Sequence, residues 1–376
     1  MMKIAAVICE YNPFHNGHKH QLELIKRDFD AVLCVMSGSF TERGEIAVFD
    51  KWSRAKAAVS NGADLVLELG TRYSLSSAQG FSEGAVETVI GTGIADALVF
   101  GSEANDIKRL SAAADILLFE SKEISEKIKS ALADGLGYPA ARQAAFEGLI
   151  DGDLLTMPNN ILALEYIMAL KKRNSGIIPI THPRTAPHLS DAESDGFASG
   201  AYIREKIKAA EDFSHLTPYD FSSCETYDIN RLTDIFKFLM LTKGEALFND
   251  IPDCEPGLFN RFYKAIEKAS FDEIIESAVT KRYTRARLKR TALRAILGIT
   301  GNYRPPKYLR VLAANGKGRE ILSKMKTASS LPIVTKTADF DKSVMAEDIR
   351  ATDIAALCAS LPQKNGRDFL TPPIML

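Results

Sequence analysis

The sequence lacks the features that define several large classes of protein. Its five cysteines are scattered and odd in number, and no two form a Cys-x-x-Cys pair, which argues against a disulfide framework and a structural zinc site. The 47 basic residues nearly balance the 48 acidic ones, so net charge favours neither a nucleic acid nor a membrane surface. No uncharged apolar stretch reaches about 18 residues, and the run Ile4–Cys9 is too short for a signal-peptide core. We therefore expect a cytoplasmic protein without a membrane span.

Short apolar runs rich in branched side chains alternate with helical patterns through about the first 205 residues. The runs are Ile4–Cys9, Ala31–Met36, Leu65–Leu69, Ala97–Phe100 and Ile177–Ile180. Because they are continuous rather than alternating, they predict strands that are buried on both faces. Helical patterns such as Leu22–Asp28 and Lys51–Ser60 separate them, and a longer helical insertion covers about residues 106–173. We predict an α/β fold, a Rossmann-like parallel sheet with helices on both faces.

The pattern changes near residue 206 and becomes mainly helical. Candidate strands occur at Tyr308–Leu312 and Leu331–Val334, and the tail Pro362–Leu376 is expected to be loosely ordered. A chain of 376 residues predicts roughly two domains. We place them at 1–205, carrying the sheet, and at 206–376, a mainly α-helical C-terminal region.

Ligands of parallel sheets bind at the carboxyl ends of the strands, which directs attention to the loops that follow them. These loops are Glu10–His18, Ser37–Arg43, Gly101–Glu103 and Thr181–His188. The first of them carries the clearest chemical signal, because it contains two histidines around a glycine at the start of a predicted helix.

The histidines of this loop, His15 and His18, lie where unpaired backbone N–H groups and the helix dipole already favour an anion. Two imidazoles at such a position can stabilise charge on a phosphate during its transfer. We therefore predict that His15 and His18 are catalytic. The alternatives are a pair of polar turn histidines, or a metal site that also uses His20. A helix N-terminus disfavours a cation, so no metal ligand is predicted.

The pattern His-x-Gly-His after the first strand resembles the hallmark of the nucleotidylyltransferase superfamily, which includes class I aminoacyl-tRNA synthetases and cofactor adenylyltransferases. A second hallmark of that superfamily, a hydroxyl-rich turn that opens a helix carrying an arginine, has a degenerate counterpart in Ser199–Arg204. A simple helix cap at Ser199 and a solvated Arg204 are the alternative.

Longer motifs carry a closer resemblance. They are Glu10–His18, Met36–Gly38 with Arg43–Glu45, Asp50–Trp52 with Arg54, Gly62–Val66, Phe100–Glu103, Pro158–Leu162 and Lys281–Thr284. Together they resemble the tRNA(Met) cytidine acetate ligase family. The resemblance implies a ligase that joins acetate to ATP as acetyl-adenylate and releases pyrophosphate. The acetyl group then passes to N4 of the wobble cytidine of elongator tRNA(Met), giving N4-acetylcytidine.

The resemblance also implies an ATP site. Its residues would be Val7, Ile8, Cys9, Glu10, Tyr11, Asn12, Pro13, Phe14, His15, Asn16, Gly17, His18, Lys19, His20, Gly101, Asn159 or Asn160, and Arg184. Support for the pocket is expected from Ser37, Asp50, Lys51, Ser199 and Arg204, with Arg54 in the same charged network. A helix cap (for one asparagine), a turn glycine at Gly101, a surface ion pair at Arg184 and an exposed Lys19 are the alternatives. Mg²⁺ is expected because ATP carries it.

The balanced net charge conceals a basic segment. Lys281–Arg310 holds ten lysines and arginines and no acidic residue, which is typical of a surface that binds a polyanion. Leucines and alanines at helical spacing predict that one face packs inward while the basic side chains largely face solvent. The tRNA contacts are predicted at Lys281, Arg282, Tyr283, Arg285, Arg287, Lys289, Arg290 and Arg294. Tyr283 and Tyr303 are candidates for stacking on bases. The alternative is a basic helix paired with acidic neighbours.

Two other functions are compatible with the histidine loop. A small-molecule adenylyltransferase of cofactor biosynthesis explains His15 and His18 equally well, but it gives the basic segment no purpose. A non-enzymatic RNA-binding protein with a regulatory nucleotide site explains the basic segment, but it requires both histidines to be dispensable.

Overall fold

The structure is a computed structural model that describes residues 2–119, 121–183 and 193–376. Its strands are β1 Ile4–Cys9, β2 Ala31–Ser37, β3 Leu65–Leu69, β4 Ala97–Ser102, β5 Ile178–Pro183, β6 Leu309–Ala314, β7 Ile333–Val334 and β8 Ile374–Met375. Its helices are α1 Asn16–Ile25, α2 Lys51–Ser60, α3 Thr71–Ser74, α4 Ala78–Gly91, α5 Ile107–Leu118, α6 Lys122–Ala133, α7 Tyr138–Ala145, α8 Gly152–Thr156, α9 Pro158–Lys172, α10 Gly200–Lys208, α11 Thr233–Lys243, α12 Leu258–Lys264, α13 Phe271–Ala278, α14 Arg285–Leu297, α15 Gly316–Ala328, α16 Ala346–Ala356 and α17 Arg367–Leu370.

All of these strands belong to one sheet, in the order β5-β4-β1-β2-β3-β6-β7, with β8 paired to β6. Strands β1 to β5 run parallel, as the continuous apolar runs predict. Strand β6 departs from the prediction, because it lies antiparallel to β3, and β7 and β8 follow its direction. The sheet is therefore mixed but mostly parallel, and the predicted Rossmann-like class is confirmed.

Helices cover both faces of the sheet, as alternate residues of β1 illustrate. Ala6 packs in a core with Leu110 of α5 and Leu164 of α9. Val7 points the other way, into a core with Leu22 of α1 and Trp52 of α2. The insertion predicted at residues 106–173 consists of α5 to α9, and α9 leads directly into the edge strand β5.

A separate helical core follows in the second half of the chain. Helices α11 to α14 and α16 enclose aromatic and aliphatic side chains such as Phe236, Phe262, Phe271 and Leu293. Strands β6 to β8, however, come from residues 309–375 and join the sheet of the first half. The two-domain division at residue 205 stays a prediction. Within the described ranges, no helix is long and apolar enough to cross a membrane.

The expectation of a loosely ordered tail is wrong. Residues 367–370 form α17 and residues 374–375 form β8. Asp368 of α17 is 2% exposed, and its Oδ1 lies 2.8 Å from Nζ of Lys51 and 2.5 Å from NH1 of Arg310. Both cations are themselves buried, so their charges need a carboxylate, and the tail supplies it.

Candidate active site

The turn between β1 and α1 holds two imidazoles against each other. His15 is the N-cap of α1, and its Nδ1 accepts a hydrogen bond from the backbone N–H of Gly17 at 3.1 Å. The backbone N–H of His15 donates to Nδ1 of His18 at 3.3 Å. The two rings stack with their centroids 3.6 Å apart and their planes 21° from parallel. This reciprocal capping holds both rings at the N-terminus of the helix.

These hydrogen bonds decide which ring nitrogen carries the proton. Since Nδ1 of His15 and of His18 accepts a backbone N–H, each neutral ring is protonated at Nε2. An Nε2–H can donate to a phosphate oxygen without any change in the charge of the ring. The helix N-terminus adds partial positive charge at the same place. The geometry suits the predicted role of the two histidines, which stays a prediction.

The His-x-Gly-His loop (Glu10–His18) is anchored by α10. Arg204 donates from NH1 to the carbonyl oxygen of Asn12 at 2.8 Å. A Cβ on Gly200 would lie 3.2 Å from the same oxygen, so the start of α10 approaches the loop closely. Ser199 caps α10 by accepting the backbone N–H of Tyr202. The structure therefore brings the predicted supporting residues Ser199 and Arg204 beside the histidine loop.

Burial divides the residues predicted around the first strand and its loop into three groups. Val7, Tyr11, Asn12, Pro13 and Phe14 are buried, and their contact with ATP stays a prediction. Half-buried positions are Ile8, Cys9, Glu10, His15, Asn16, Gly17, His18 and His20. Lys19 is exposed, and its Nζ lies 3.9 Å from the carboxylate of Glu23. Exposure is compatible with both the predicted phosphate contact of Lys19 and its alternative, so that contact stays a prediction.

Arg54 joins the loops after β1 and β2 by hydrogen bonds. It is fully buried, and it donates to the carbonyl oxygens of Glu10 at 2.6 Å, of Ser37 at 3.1 Å and of Gly38. Its Nε also donates to the carbonyl of Phe49 at 3.0 Å. Burial lowers the pKa of Arg54 to about 10, which leaves it charged at neutral pH. One guanidinium thus fixes the spacing of the two loops at the edge of the sheet.

Glu10 places a carboxyl group at the start of the His-x-Gly-His loop. Its Oε1 accepts the backbone N–H of Glu42 at 2.7 Å. Burial raises the pKa of Glu10 to about 7, and this outweighs the opposing effect of that hydrogen bond and of Arg204 and Arg43. The group is therefore partly protonated at neutral pH, which reduces the negative charge beside a site predicted to hold phosphates.

The raised pKa of Glu10 predicts a pH-dependent stability difference between the wild type and Glu10→Gln. In the unfolded chain this carboxyl ionises near pH 4.5, whereas in the fold it keeps its proton until about pH 7. The contribution of Glu10 to the free energy of unfolding is fully present below its unfolded pKa of 4.5 and is lost as the pH rises through 7. Between pH 5 and pH 8 the free energy of unfolding of the wild type should fall by about 1–3 kcal/mol relative to that of the variant. Thermal unfolding of both proteins at the two pH values measures this, and a constant difference would contradict it.

A second polar group lies at the carboxyl end of β4, next to Gly101. The carboxylate of Glu103 accepts the backbone N–H groups of Asn159 and Asn160 at 3.2 and 2.8 Å and the side-chain amide of Asn159 at 2.5 Å. Burial alone would raise the pKa of Glu103, but these hydrogen bonds lower it. Asn160 is fully buried, and its amide binds the backbone of Ala104 and Asp153. Of the two asparagines, Asn159 is therefore the one whose side chain is half-exposed near Gly101.

The other predicted supporting residues face the C-terminal part of the chain. Asp50 caps α2, and its Oδ2 lies 2.9 Å from NH2 of Arg367. Lys51 is fully buried, with Nζ 2.7 Å from Oε1 of Glu68 and 2.8 Å from Asp368. Ser37 is also buried, and its carbonyl is bound by Arg54. These groups hold the scaffold together beneath the loops.

Arg184, predicted to bind phosphate, lies outside the described residues, as does part of the loop Thr181–His188. Among residues 2–119, 121–183 and 193–376, no group of three or more His, Cys, Asp or Glu side chains could hold a metal ion.

Comparison with known proteins identifies the family of this chain. A family model described as HIGH Nucleotidyl Transferase matches residues 2–368. The tRNA(Met) cytidine acetate ligase of Acetivibrio thermocellus is 34% identical, over 98% of this chain and 98% of its own. The protein of that name from Listeria monocytogenes is 37% identical over the full length of both. The chain belongs to the tRNA(Met) cytidine acetate ligase family.

A solved member of the tRNA(Met) cytidine acetate ligase family has the same fold. The crystal structure of Thermotoga maritima TmcAL bound with alpha-thio ATP matches with a TM-score of 0.89 and 31% identity, covering all of both chains. The apo form matches with a TM-score of 0.91. Membership confirms the family predicted from the motifs, and with it the predicted fold class and the prediction of a ligase.

The basic segment of this family member is less exposed than the sequence predicts. Lys289 is 5% exposed, and its Nζ lies 2.7 Å from Asp272. Arg294 is 6% exposed and donates to the carbonyls of Arg72 and Leu75. The prediction that these two basic side chains face solvent is wrong, because carboxylates and carbonyls from distant elements surround the helix.

Tyr283 and Tyr303 are also engaged within the ligase. Tyr283 is 6% exposed, and its hydroxyl donates to Glu255 at 3.1 Å, so stacking of this ring on a base is not supported. Tyr303 is more exposed, and its hydroxyl donates to Glu87. Of the basic residues predicted to bind tRNA, Lys281 and Arg282, just before α14, and Arg285, its first residue, remain exposed.

Glu103 was not chosen from the sequence as a site residue, and Arg54 was predicted only as a member of the charged network around the pocket. Glu103 had a signal, since an acidic residue follows a buried strand at the edge where ligands bind. Arg54 had one as well, because an arginine on the helix face shared with Ala55 and Ala58 indicates a buried cation.

Proposed function

We propose that this protein is an ATP-dependent ligase that activates acetate as acetyl-adenylate and transfers the acetyl group to N4 of the wobble cytidine of elongator tRNA(Met). The observation that carries the proposal is the stacked pair of His15 and His18, with both Nδ1 atoms bonded to backbone N–H groups at the start of α1. Full-length relatives named tRNA(Met) cytidine acetate ligase support the choice of substrates.

The chemistry requires an activated acetate. Acetate is a poor acyl donor, and the N4 lone pair of cytidine is delocalised into the ring. Attack of an acetate oxygen on the α-phosphorus of ATP forms a mixed anhydride and expels pyrophosphate. We propose that Nε2–H of His15 and of His18 stabilises the charge on the phosphoryl oxygens during this displacement. The N4 amine then attacks the acetyl carbon, AMP leaves, and N4 loses a proton.

The remaining ATP contacts follow from exposure at the sheet edge. We propose that the backbone at Gly101 and the side chain of Asn159 line the nucleoside end, with Glu103 holding Asn159 in place. Arg184 is proposed as a phosphate contact. Mg²⁺ is proposed to arrive with the triphosphate, whose oxygens are ligands that it prefers. We place the reaction in the cytoplasm.

Binding of tRNA is proposed for the exposed start of the basic segment. Lys281, Arg282 and Arg285 are exposed, and Arg282 and Arg285 form ion pairs with Glu255 and Glu276. Exposed ion pairs of this kind are weak, so RNA phosphates can replace the carboxylates.

We predict that Lys281→Ala combined with Arg285→Ala raises the KM for tRNA about tenfold at moderate salt. Acetate-dependent pyrophosphate release without tRNA should stay within twofold, since neither side chain contacts the His-x-Gly-His loop. Steady-state kinetics of the two half-reactions measure both quantities. An unchanged KM for tRNA would remove these residues from the proposed RNA surface.

One assay tests the whole proposal. Purified protein is incubated with ATP, acetate and tRNA(Met), and pyrophosphate and the mass of the modified nucleoside are measured. Acetate-dependent pyrophosphate release together with acetylated cytidine is the expected result. Pyrophosphate release without dependence on acetate would instead favour a small-molecule adenylyltransferase, and tRNA binding without any turnover would favour a regulatory RNA-binding protein.

A further inference from the structure

The loop between β2 and α2 lies between the basic helix and the His-x-Gly-His loop. Residues 41–45 form a tight turn, in which the N–H of Thr41 donates to the carbonyl of Glu45 and the N–H of Gly44 donates to that of Thr41, both at 2.9 Å. We refer to these residues as the 41–45 turn. Phe40 and Ile46 pair as an antiparallel bridge at its base.

The 41–45 turn is packed directly on α14. Gly44 has a φ of +72°, and a Cβ there would lie 2.6 Å from Cβ of Lys289 and 2.7 Å from the backbone nitrogen of Arg290. Glycine is thus required both by the backbone conformation and by the close approach. The turn cannot shift relative to this part of α14 without losing the contact.

Arg290 continues this contact into the candidate active site. Its NH1 donates to the carbonyl oxygen of Glu42 at 2.8 Å and to Oε1 of Glu42 at 3.1 Å. The backbone N–H of the same Glu42 donates to the carboxyl group of Glu10 at 2.7 Å. The side chains of Arg290 and Glu42 are 13% and 23% exposed, so the pair is largely shielded from solvent.

A second set of contacts connects Lys289, the residue before Arg290, to the same loop. Nζ of Lys289 lies 3.7 Å from Oε1 of Glu45, and the other oxygen of that carboxylate lies 3.3 Å from NH2 of Arg204. Arg204 then donates to the carbonyl of Asn12 in the His-x-Gly-His loop at 2.8 Å. Two neighbouring basic residues of α14 therefore reach the same loop through two acidic residues of one turn.

We infer that Arg290 and Lys289 are positioning residues for the adenylation half-reaction, which act through the 41–45 turn on Glu10 and Asn12, rather than tRNA contacts. The inference rests on the proposed function for the reaction to be assayed. It reassigns two of the residues that the charge pattern alone predicts to bind RNA.

The test is Arg290→Gln, assayed without tRNA by acetate-dependent pyrophosphate release and by calorimetric binding of alpha-thio ATP. We expect kcat/KM for ATP to fall about tenfold and the analogue to bind several-fold more weakly, while the KM for tRNA stays within twofold. Arg290→Lys should recover part of the loss, because it keeps a cation near Glu42 but not the planar guanidinium whose NH1 donates to two oxygens of Glu42.

Arg142→Gln is the matched control. Arg142 forms an ion pair with Glu165 at 2.8 Å with similar shielding, 18% and 8% exposed, on the insertion helices α7 and α9. If the loss in Arg290→Gln came only from breaking a shielded ion pair, kcat/KM for ATP would fall equally in Arg142→Gln. We expect kcat/KM for ATP of Arg142→Gln to stay within twofold of the wild type. Glu42→Gln removes the carboxylate charge of the partner and leaves its backbone carbonyl, and its effect should not add to that of Arg290→Gln.

The outcomes separate clearly. Normal ATP kinetics for Arg290→Gln with a raised KM for tRNA would overturn the inference and make Arg290 an RNA contact. Equal losses in Arg290→Gln and Arg142→Gln, or additive losses with Glu42→Gln, would overturn it as well. If the wild type binds alpha-thio ATP but does not activate acetate, the proposed function fails, and the affinities of the variants for the analogue still decide the positioning role.

Discussion

His18→Ala is expected to lower acetate-dependent pyrophosphate release by a factor of about 100 to 1,000. The substitution removes the hydrogen-bond donor that we propose acts where charge develops on the transferred phosphate. It also removes the acceptor for the backbone N–H of His15 and the ring on which the His15 imidazole stacks. Single-turnover formation of acetyl-adenylate measures the effect on the first half-reaction.

Two further variants give this prediction its controls. In His18→Gln the side-chain amide nitrogen can reach the position of Nε2, so we expect about tenfold more activity than in His18→Ala. In His215→Ala an exposed imidazole that pairs with Glu193 is lost, while the backbone carbonyl that binds Asn16 remains. That variant should keep its activity within twofold. Wild-type rates in His18→Ala would show that the first half-reaction does not use this ring.

Asp368→Ala is expected to destabilise the protein by about 3–5 kcal/mol. Lys51 and Arg310 are 0% and 4% exposed in their side chains, and they share the carboxylates of Asp368 and Glu68. Removal of Asp368 leaves two buried cations with one acidic partner between them. The free energy of unfolding by urea, monitored by circular dichroism, measures the loss.

Asp341→Ala provides the comparison for this variant. Asp341 is exposed and accepts hydrogen bonds from the backbone and hydroxyl of Ser343, so its removal should destabilise the protein far less than removal of Asp368. Asp368→Asn tests the charge itself, because it keeps the volume of the side chain. If Asp368→Ala and Asp341→Ala had equal stabilities, the tail would not contribute to the core.

The sequence predicted the first five strands because each contains a continuous apolar run. Strands β1 to β4 are largely buried between layers of helices, but the prediction of burial on both faces is wrong for β5, which lies at the edge of the sheet and is partly exposed. It also predicted the histidine loop, since residue types and spacing alone define a helix N-terminus with two imidazoles. The antiparallel pairing of β6 with β3 could not be predicted in this way. A run such as Leu309–Ala314 indicates a strand, but its neighbour and direction depend on pairing with β3, more than 200 residues away.

For the basic helix α14, the sequence predicted only part of which side chains are buried. Helical spacing correctly placed Leu288, Ala292, Leu293, Ile296 and Leu297 in the core. It could not show that Lys289 and Arg294 are covered, because their partners Asp272, Arg72 and Leu75 come from other elements. Charge counts along a segment report composition, whereas exposure depends on what packs against each face.

The ion pairs between α2 and α17 have a consequence for biosynthesis. Asp50 and Arg367 are 317 residues apart in the chain, yet they meet beside the buried Lys51. During translation the first half is complete long before residues 367–370 leave the ribosome exit tunnel, so Lys51 must remain hydrated or unpaired with Asp368 until then. The nascent sheet should therefore stay open to proteolysis and to chaperones until residues 367–370 have emerged, and its final closure is a late event in folding.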